Sequence, residues 1–427
     1  MRFVYIVIAY LLAPIVLGAL ALRGFRDRSH WEGFSQRFGL GPPVTGGRSI
    51  WVHAVSVGEV QASVPLVNAL LKKFPGVPLV VTTGTATGRS RARAAFGARV
   101  AVRYVPVDLP GSVRRFFQRV NPMLAVILET EIWPNLYHRC GRLGIPLVMA
   151  SARISPRSVK SYRRLVGLFR QALSNGIFIA AQSEQDAERF RSIGASGDRT
   201  HVVGNIKFDF SLPPNIESQG AELRRLLGMD RPVWVAGSTH AREEDILIAA
   251  HRQLRSRYAQ ALLVLVPRHP PRFGEVADSL RAQGVKFVTR TSGAPTGGNT
   301  EVFLVDRLGE LLPFYAAADV AFVGGSLVPI GGHNLLEPAS LGLPVLAGPN
   351  NFNSADIARL LVECGAVRIV ADAPALAAAI GELLADPAAR TGMGARGRMA
   401  IEANRGAVGR LMEFLEPLLP STREVGR

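Results

Sequence analysis

Short apolar runs alternate with longer segments in which apolar residues recur every three or four positions. The runs are typical of buried parallel strands and the longer segments of amphipathic helices. Helices are expected at, for example, residues 61–73 and 111–119. In the first half this pattern predicts strands at residues 49–55, 79–83, 101–106, 124–128, 147–150, 177–181 and 201–203.

The same alternation restarts after a polar, proline-containing stretch at residues 209–220, which reads as a linker. Strands are predicted there at residues 232–236, 261–266, 285–289, 302–305, 320–323, 344–347 and 367–370. A glycine-rich loop at residues 292–299 interrupts this half. The pattern predicts an α/β protein of two Rossmann-like domains, residues 25–210 and 211–427 with a terminal helix. We expect them to face a cleft, with ligands outside the carboxyl ends of the strands.

The chain begins with a long apolar segment. Residues 3–22 carry no charge, and this segment is long enough for a transmembrane helix. Residues 1–24 are therefore predicted to be a membrane anchor. Four arginines follow within fifteen residues, against Arg2 alone in front, and this bias predicts a cytoplasmic body. A secretory signal is the alternative, because Ala19-Leu20-Ala21 resembles a cleavage site.

Charge is divided unevenly between the halves. Residues 1–210 carry 28 Lys and Arg against 11 Asp and Glu, whereas residues 211–427 carry 22 of each. The whole excess of 17 positive charges therefore lies in the first half and predicts an anionic partner for it. Cys140 and Cys364 lack metal-ligand spacing and indicate neither a zinc site nor a disulfide framework.

The densest motif is Gly324-Gly325-Ser-Leu-Val-Pro-Ile-Gly-Gly-His-Asn334-Leu-Leu-Glu337-Pro, after an apolar run. Glycine pairs let a backbone approach a bound group, and a following helix presents its positive end to an anion. Glu337 stands where it could accept hydrogen bonds from a ribose diol. A tight turn with a capped helix is the plainer interpretation. The crowding of these residues favours a nucleotide site.

Glu59 ends the segment Trp51-Val-His-Ala-Val-Ser56-Val-Gly-Glu59 at a predicted strand-to-helix turn. A carboxylate there could take a proton from an attacking hydroxyl as a general base. Ser56 and Glu59 also match a capping box, in which the acid bonds the start of its own helix. From the residues alone, capping is favoured.

Other candidates follow predicted strands. Arg268 could bind a phosphate or carboxylate with its planar fork, and His269 beside it is either a ligand or structural. Ser238 could cap a helix or hold a phosphate. Lys207 could neutralise an acidic substrate or lie on the surface. Glu129-Thr-Glu131-Ile-Trp-Pro-Asn135 is better explained by a structural or acceptor-orienting role than by a metal site.

Basic residues cluster in two stretches of the first half, and we expect them to contact anionic phospholipid or a phosphorylated lipid. A solvated helix face is the alternative. Nothing resembles a nucleic-acid-binding motif. The candidates are Arg89, Arg91, Arg93, Lys160, Arg163 and Arg164.

Together these segments resemble the Kdo (3-deoxy-D-manno-octulosonic acid) transferases of Gram-negative bacteria. The resemblance runs in family order across nearly the whole chain, with Ser151 standing where many members have Asn. The matching segments are His53-Ala-Val-Ser-Val-Gly-Glu59, Thr82-Thr-Gly-Thr85, Glu129-Thr-Glu-Ile-Trp-Pro-Asn135, Ser151-Ala-Arg-Ile-Ser155, Gly204-Asn-Ile-Lys-Phe-Asp209, Pro267-Arg-His269 and residues 324–338.

The resemblance implies a GT-B glycosyltransferase that moves Kdo from CMP-Kdo to a phosphorylated lipid A precursor, with anomeric inversion and neither metal nor other cofactor. It implies a single-pass anchor in the bacterial inner membrane, with catalytic domains on the cytoplasmic side. Glu59 becomes the candidate base. The implied donor-binding residues are Arg268, His269, Gly324, Gly325, Asn334, Glu337, Ser238 and Lys207.

Two alternatives stay open. Another GT-B enzyme would use a UDP-sugar for a different envelope lipid, and nucleotide preference separates it from a Kdo transferase. A non-catalytic, membrane-tethered binding protein would recognise anionic lipid whether or not Glu59 is present.

Overall fold

A computed structural model describes residues 2–26, 31–164 and 176–419. It divides into two compact units, one of Met1–Phe210 with Asn404–Arg427 and one of Ser211–Ala403. Each unit is a parallel sheet with connecting helices, because every adjacent strand pair runs in the same direction. The two Rossmann-like domains predicted from the pattern of apolar runs are therefore present.

The first unit has a seven-stranded sheet in the order β3-β2-β1-β4-β5-β6-β7. The chain order reverses between β1 and β4, and such a switch point is where open α/β sheets bind ligands. The strands are β1 Ser49–His53, β2 Leu79–Thr83, β3 Ala101–Tyr104, β4 Pro122–Leu128, β5 Leu147–Ala152, β6 Ile177–Ala181 and β7 Thr200–Val202. The helices are α1 Arg2–Arg26, α2 Val57–Lys73, α3 Ala86–Phe96, α4 Pro110–Val120, α5 Pro134–Arg142, α6 Pro156–Arg164 and α7 Glu184–Ser192.

The second unit repeats this plan in the order β10-β11-β9-β8-β12-β13-β14, with its switch point between β8 and β12. The strands are β8 Val233–Thr239, β9 Leu262–Pro267, β10 Phe287–Thr289, β11 Val302–Leu304, β12 Val320–Val323, β13 Val345–Ala347 and β14 Val367–Ile369. The helices are α8 Ile216–Leu227, α9 Glu243–Arg255, α10 Arg272–Ala282, α11 Leu311–Ala316, α12 Leu336–Ser340, α13 Ala355–Glu363, α14 Ala373–Ala385 and α15 Pro387–Asn404.

Helix α16, Ala407–Leu415, belongs to the first unit, although residues 211–427 were expected to form a single domain. Leu411 and Leu415 are fully buried in the core formed with β1 and α2. The oxygens of Asp209 accept the backbone N–H groups of Gly406 and Val408, which ties the helix start to the end of the first unit. Burial of apolar side chains thus returns the chain to the first sheet. The predicted linker is also shorter than expected, because α8 already begins at Ile216.

The apolar N-terminal segment forms α1, with Pro14 inside it. In the described part of the chain, no helix combines the length and the apolar character needed to cross a membrane. The transmembrane anchor predicted over residues 3–22 is therefore not supported. The first turns of α1 contact the rest of the first unit. The Tyr5 hydroxyl donates to Asp108 at 2.8 Å, and Arg2 Nε donates to the Asn135 side chain at 3.2 Å.

Candidate active site

Glu59 lies at the start of α2, directly after β1 at the first switch point. Its carboxylate accepts the backbone N–H of Val55 at 2.8 Å and the Ser56 hydroxyl at 3.2 Å. The Ser56 oxygen in turn accepts the N–H of Glu59, so the N-cap bond of the predicted capping box forms, while the acid accepts the N–H of Val55 in place of that of Ser56. The cap fixes the carboxylate at the carboxyl end of β1.

The pKa of Glu59 is raised to about 7. Burial is the largest cause, and the neighbouring Glu129 and Glu131 carboxylates add to it, since a second negative charge nearby disfavours ionisation. The bonds from Val55 and Ser56 act in the opposite direction. A carboxylate that titrates near neutral pH suits general-base chemistry, so the cap and a catalytic role are compatible in this side chain.

Glu129 follows β4 on the other side of the switch point and has a left-handed backbone, with φ of 55°. Burial alone would raise its pKa, but Lys207 and Arg153 more than offset that effect and lower it. Lys207 Nζ lies 2.6 Å and Arg153 Nε 3.2 Å from its oxygens. Glu129 is thus kept ionised beside Glu59. The contact places Lys207 in this carboxylate cluster, whereas the resemblance implied a place near the donor.

Two buried networks support this cluster. Asp108 accepts the backbone N–H groups of Asn135 and Leu136 at 3.0 and 2.9 Å, which satisfies the start of α5 after the acidic loop. Ser151, at φ 51°, accepts a hydrogen bond from Gln182, whose side-chain oxygen accepts one from Asn205 just before Lys207. These hydrogen bonds therefore fix the loops that carry Glu129 and Lys207.

His53 lies in the same motif as Glu59 but is fully buried within β1. Its Nδ1 contacts the Thr82 hydroxyl at 2.8 Å, and burial lowers its pKa to about 4. A neutral, enclosed imidazole has a structural role here.

In the second unit, Glu243 organises the glycine motif. This fully buried carboxylate accepts the backbone N–H groups of Gly325, Ser326 and Leu327 at 2.7, 3.1 and 3.0 Å. A Cβ on Gly324 would lie 2.8 Å from a Glu243 oxygen, so a side chain there would collide with it. The Gly325 N–H is thus bonded to the protein's own carboxylate and the Gly324 N–H to the Gly237 carbonyl, so neither glycine amide is left to donate to a phosphate.

Three histidines and an arginine gather where β8, β9 and β12 end. The rings of His240 and His333 are nearly parallel, with centroids 5.0 Å apart and their Nε2 atoms hydrogen-bonded at 2.7 Å, and His269 meets His240 edge-on at 5.4 Å. Burial, with the nearby His240 and Arg268, lowers the pKa of His333 to about 3, so its ring is neutral at pH 7. The Arg268 guanidinium has no hydrogen-bond or ion-pair partner among the described residues. This cluster therefore offers one unpaired cation, supported by neutral imidazoles, to an anion.

Asn334 and Glu337 form a second polar pair. Asn334 Nδ2 donates to Glu337 Oε1 at 3.0 Å, and its oxygen accepts the N–H of Leu336 at the start of α12. Asn334 therefore caps the start of α12 and also orients the Glu337 carboxylate, so the plainer interpretation of this turn and the nucleotide interpretation are compatible.

Ser238 lies at an irregularity of β8 with φ of 58°, and its hydroxyl has no hydrogen-bond partner in the described ranges.

Only some of the basic residues predicted to contact an anionic lipid are exposed to solvent. Arg89 is 5% exposed and donates to the backbone oxygen of Glu32, so it is not a solvated arginine. Arg91, Arg93 and Lys160 are exposed. The side chains of Arg163 and Arg164 lie outside the described part of the structure, as does the continuation of their helical face from residue 165. The described side chains include no group of three or more His, Cys, Asp or Glu placed to hold a metal ion.

Sequence reasoning missed Glu243, His240 and His333 as organisers of the second site. The sequence carried a signal, because Glu243 is an acid in the first turn after a Ser-Thr-His strand end. A first-turn acid ordinarily interacts with its own helix terminus. Its use on amides from the neighbouring β12 loop follows from the sheet order, which brings β8 beside β12.

The fold defines a two-unit Rossmann-type α/β protein. A crystal structure of UDP-GlcNAc 2-epimerase from Neisseria meningitidis bound to UDP-GlcNAc shares this fold, with a TM-score of 0.58 and 14% identity over 86% of this chain and 100% of that one. The solved C-terminal CMP-Kdo binding domain of WaaA from Acinetobacter baumannii is 34% identical, covers 44% of this chain and 98% of that domain, and has a TM-score of 0.42.

Sequence comparison identifies the family. Residues 32–210 match the model of the 3-deoxy-D-manno-octulosonic-acid transferases. The 3-deoxy-D-manno-octulosonic acid transferase of Haemophilus influenzae is 38% identical over 98% of this chain and 99% of its own length. The chain belongs to the Kdo transferase family and is a glycosyltransferase.

The pKa of Glu59 predicts a pH dependence. If Glu59 is the base, kcat/KM rises with pH and levels off above a midpoint near 7, because only the ionised carboxylate accepts a proton. Glu129→Gln removes a neighbouring negative charge, so Glu59 ionises more easily and the midpoint moves to lower pH. Steady-state rates between pH 5 and 9 measure this. The exposed Glu188→Gln should leave the midpoint unchanged, and an unmoved midpoint in Glu129→Gln would contradict the coupling.

We expect that substitution of Glu243 lowers the local stability of the loop at residues 324–327. Glu243→Gln removes the charge that the backbone N–H groups of residues 325–327 and of His240 share, and hydrogen bonds to a charged group contribute about 1.5–3 kcal/mol. Amide exchange in residues 324–327 should therefore quicken on the order of tenfold or more, with the sheet unaffected. Hydrogen–deuterium exchange mass spectrometry measures this, with Asp245→Asn on the same helix as control. Equal exchange in both variants would show that Glu243 does not hold the loop.

Proposed function

We propose that this Kdo transferase moves Kdo from CMP-Kdo to a hydroxyl of a phosphorylated lipid A precursor, with inversion at the anomeric carbon. The observation that carries the proposal is Glu59, held at the switch point of the first unit with a pKa near 7 beside the ionised Glu129. Family membership supplies the transferred sugar. The acceptor, the inversion and the residue roles are part of the proposal.

The proposed reaction is a single displacement. Glu59 takes the proton of the acceptor hydroxyl as its oxygen forms a bond to the anomeric carbon. The bond from that carbon to the CMP phosphate oxygen breaks, and its electron pair leaves with CMP. Attack from the face opposite the leaving group inverts the centre, and such a mechanism needs a base but no protein nucleophile.

Glu129 and Lys207 have separate parts in this scheme. The negative charge of Glu129 raises the pKa of Glu59, whereas Lys207 and Arg153 keep Glu129 ionised. Lys207 therefore acts here through Glu129 and tunes the base. This assignment replaces a direct contact of Lys207 with the donor, because its ammonium already lies 2.6 Å from Glu129.

The second unit is proposed to bind CMP-Kdo. Arg268 supplies an unpaired cation for the phosphate or the Kdo carboxylate, with His269 and Ser238 beside it at strand ends. Glu337, oriented by Asn334, is assigned to the ribose hydroxyls. Gly324 and Gly325 shape the loop around Glu243 and contribute through its close packing.

The first unit is proposed to bind the acceptor and the anionic surface in which it lies. All of the chain's excess positive charge is in residues 1–210, and phosphorylated lipid is the matching chemistry. Arg91, Arg93 and Lys160 are exposed and available for this contact.

We expect that loss of Kdo transfer can be separated from loss of CMP binding. Glu59→Gln should lower transfer by about 10²–10⁴-fold, the usual contribution of a general base, while CMP binding is retained. The amide can still accept the Val55 N–H, so the fold should survive. The assay is transfer of labelled Kdo, from CMP-Kdo generated in situ, to a tetra-acylated bisphosphoryl lipid A precursor.

The exposed Glu188→Gln is the control for this change. Loss of CMP binding in folded Glu59→Gln, or full activity of that variant, would contradict the role of Glu59. A wild-type protein that transfers nothing and prefers UDP to CMP would instead favour a UDP-sugar donor.

A further inference from the structure

Two arginines of the first unit are buried around one tyrosine. Arg37 and Arg89 are 7% and 5% exposed, and Tyr104 between them is 1% exposed. Their guanidinium carbons lie 4.1 and 5.1 Å from the Tyr104 ring centroid. Such cation–π contacts compensate only part of the cost of burying two like charges.

Few anionic groups balance this pair. Arg37 Nη2 donates to the backbone oxygen of Gly84 at 3.1 Å, and no carboxylate in the described ranges pairs with it. Arg89 has one carboxylate, Glu32, at 3.3 Å, and Glu32 is shared with Arg93 at 2.6 Å. The buried Nε atoms of Arg37 and Arg89 have no hydrogen-bond partner among the described residues. Within the described ranges, Glu32 is thus the one carboxylate that pairs with Arg89 and Arg93, and Arg37 has none.

That carboxylate is accessible. The Glu32 side chain is 58% exposed and Arg93 50% exposed, although Arg89 beneath them is almost fully enclosed. A carboxylate bound by two arginines lies where a phosphate would be bound by the same groups, because guanidinium forks match both anions. Glu32 can leave this position for water, whereas Arg89 cannot.

The surroundings suit an amphiphile. Trp31, next to Glu32, is 41% exposed and its ring contacts Phe34 at 5.3 Å, which in turn contacts Phe38 at 5.8 Å. An exposed aromatic group beside a cation pair matches a ligand with a phosphate and apolar chains better than free phosphate. The site also adjoins the base: Gly84, bonded by Arg37, donates its N–H to Val55, and Val55 donates to Glu59.

We propose that Arg89 and Arg93 bind a phosphate monoester of the glycolipid acceptor, and that the Glu32 carboxylate occupies this site until the phosphate displaces it. This inference rests on the proposed function and names how its acceptor is recognised. Arg37 is the positioning residue, which holds the Gly84 loop next to the base and adds positive charge behind the site.

The test compares acceptor binding in two variants of the full chain. Arg93→Ala removes the exposed half of the site, and Glu32→Gln removes the competing charge but keeps the side-chain size. The probe is a tetra-acylated disaccharide acceptor with two phosphates, alongside the same acceptor with its phosphates removed. Binding is measured without donor in neutral detergent micelles, so the acceptor carries the only phosphate present and transfer is not required.

For the bisphosphorylated acceptor, Arg93→Ala should weaken binding on the order of tenfold, the effect of losing one charge-assisted contact. Glu32→Gln should tighten it severalfold. Neither should change the affinity for the dephosphorylated acceptor, and Arg114→Ala, an exposed arginine on α4, should behave as wild type with both.

Equal losses for both acceptors, or an Arg93→Ala variant that matches Arg114→Ala, would overturn the site. Weaker binding in Glu32→Gln would show that Glu32 is structural and not a displaced ligand. A variant whose melting temperature falls is replaced by Arg93→Lys, which keeps the charge and should lose less affinity than Arg93→Ala. Kdo transfer by the wild-type protein is assayed separately, so failure of the proposed function and failure of this site give different results.

Discussion

The chemistry of the first unit depends on how one partly enclosed carboxylate, that of Glu59, is held at the end of β1. Burial makes ionisation of Glu59 costly, and the charge of Glu129 adds to the cost. Two hydrogen bonds from its own helix start prevent the side chain from turning away. A capping box is usually read as a stabilising device, yet here it aims a base, because the cap and the sheet's switch point coincide.

The second unit uses the corresponding place differently. Its buried carboxylate, Glu243, accepts hydrogen bonds from three backbone amides of the loop that follows β12. Those bonds work against a rise in pKa that burial causes. The result is a loop held from within the unit, behind an arginine and three histidines. The buried carboxylate therefore supports the loop in the second unit, whereas the carboxylate at the equivalent strand end of the first unit is the candidate base.

Much of this could be predicted from the sequence. Apolar runs such as residues 79–83 and 177–181 match β2 and β6 residue for residue, because both faces of these strands are buried. The capping box at Ser56 and Glu59 could also be read locally. What the sequence did not reveal depends on distant contacts: Lys207 binds Glu129 across 78 residues, and Glu243 reaches a loop more than 80 residues away. The return of α16 to the first core likewise depends on tertiary packing of Leu411, and the apolar character of residues 3–22 did not by itself establish a spanning helix.

A titration of the Glu59 carboxyl group itself measures most directly whether this side chain is suited to act as the base. Protein labelled with carbon-13 at glutamate carboxyls, compared with the Glu59→Gln variant to assign the signal, reports its ionisation by NMR. The midpoint for Glu59 in the wild-type protein should lie near 7. A midpoint near the ordinary glutamate value of about 4.3 would contradict it, since a carboxylate so weakly basic would not be tuned for the proton transfer proposed here.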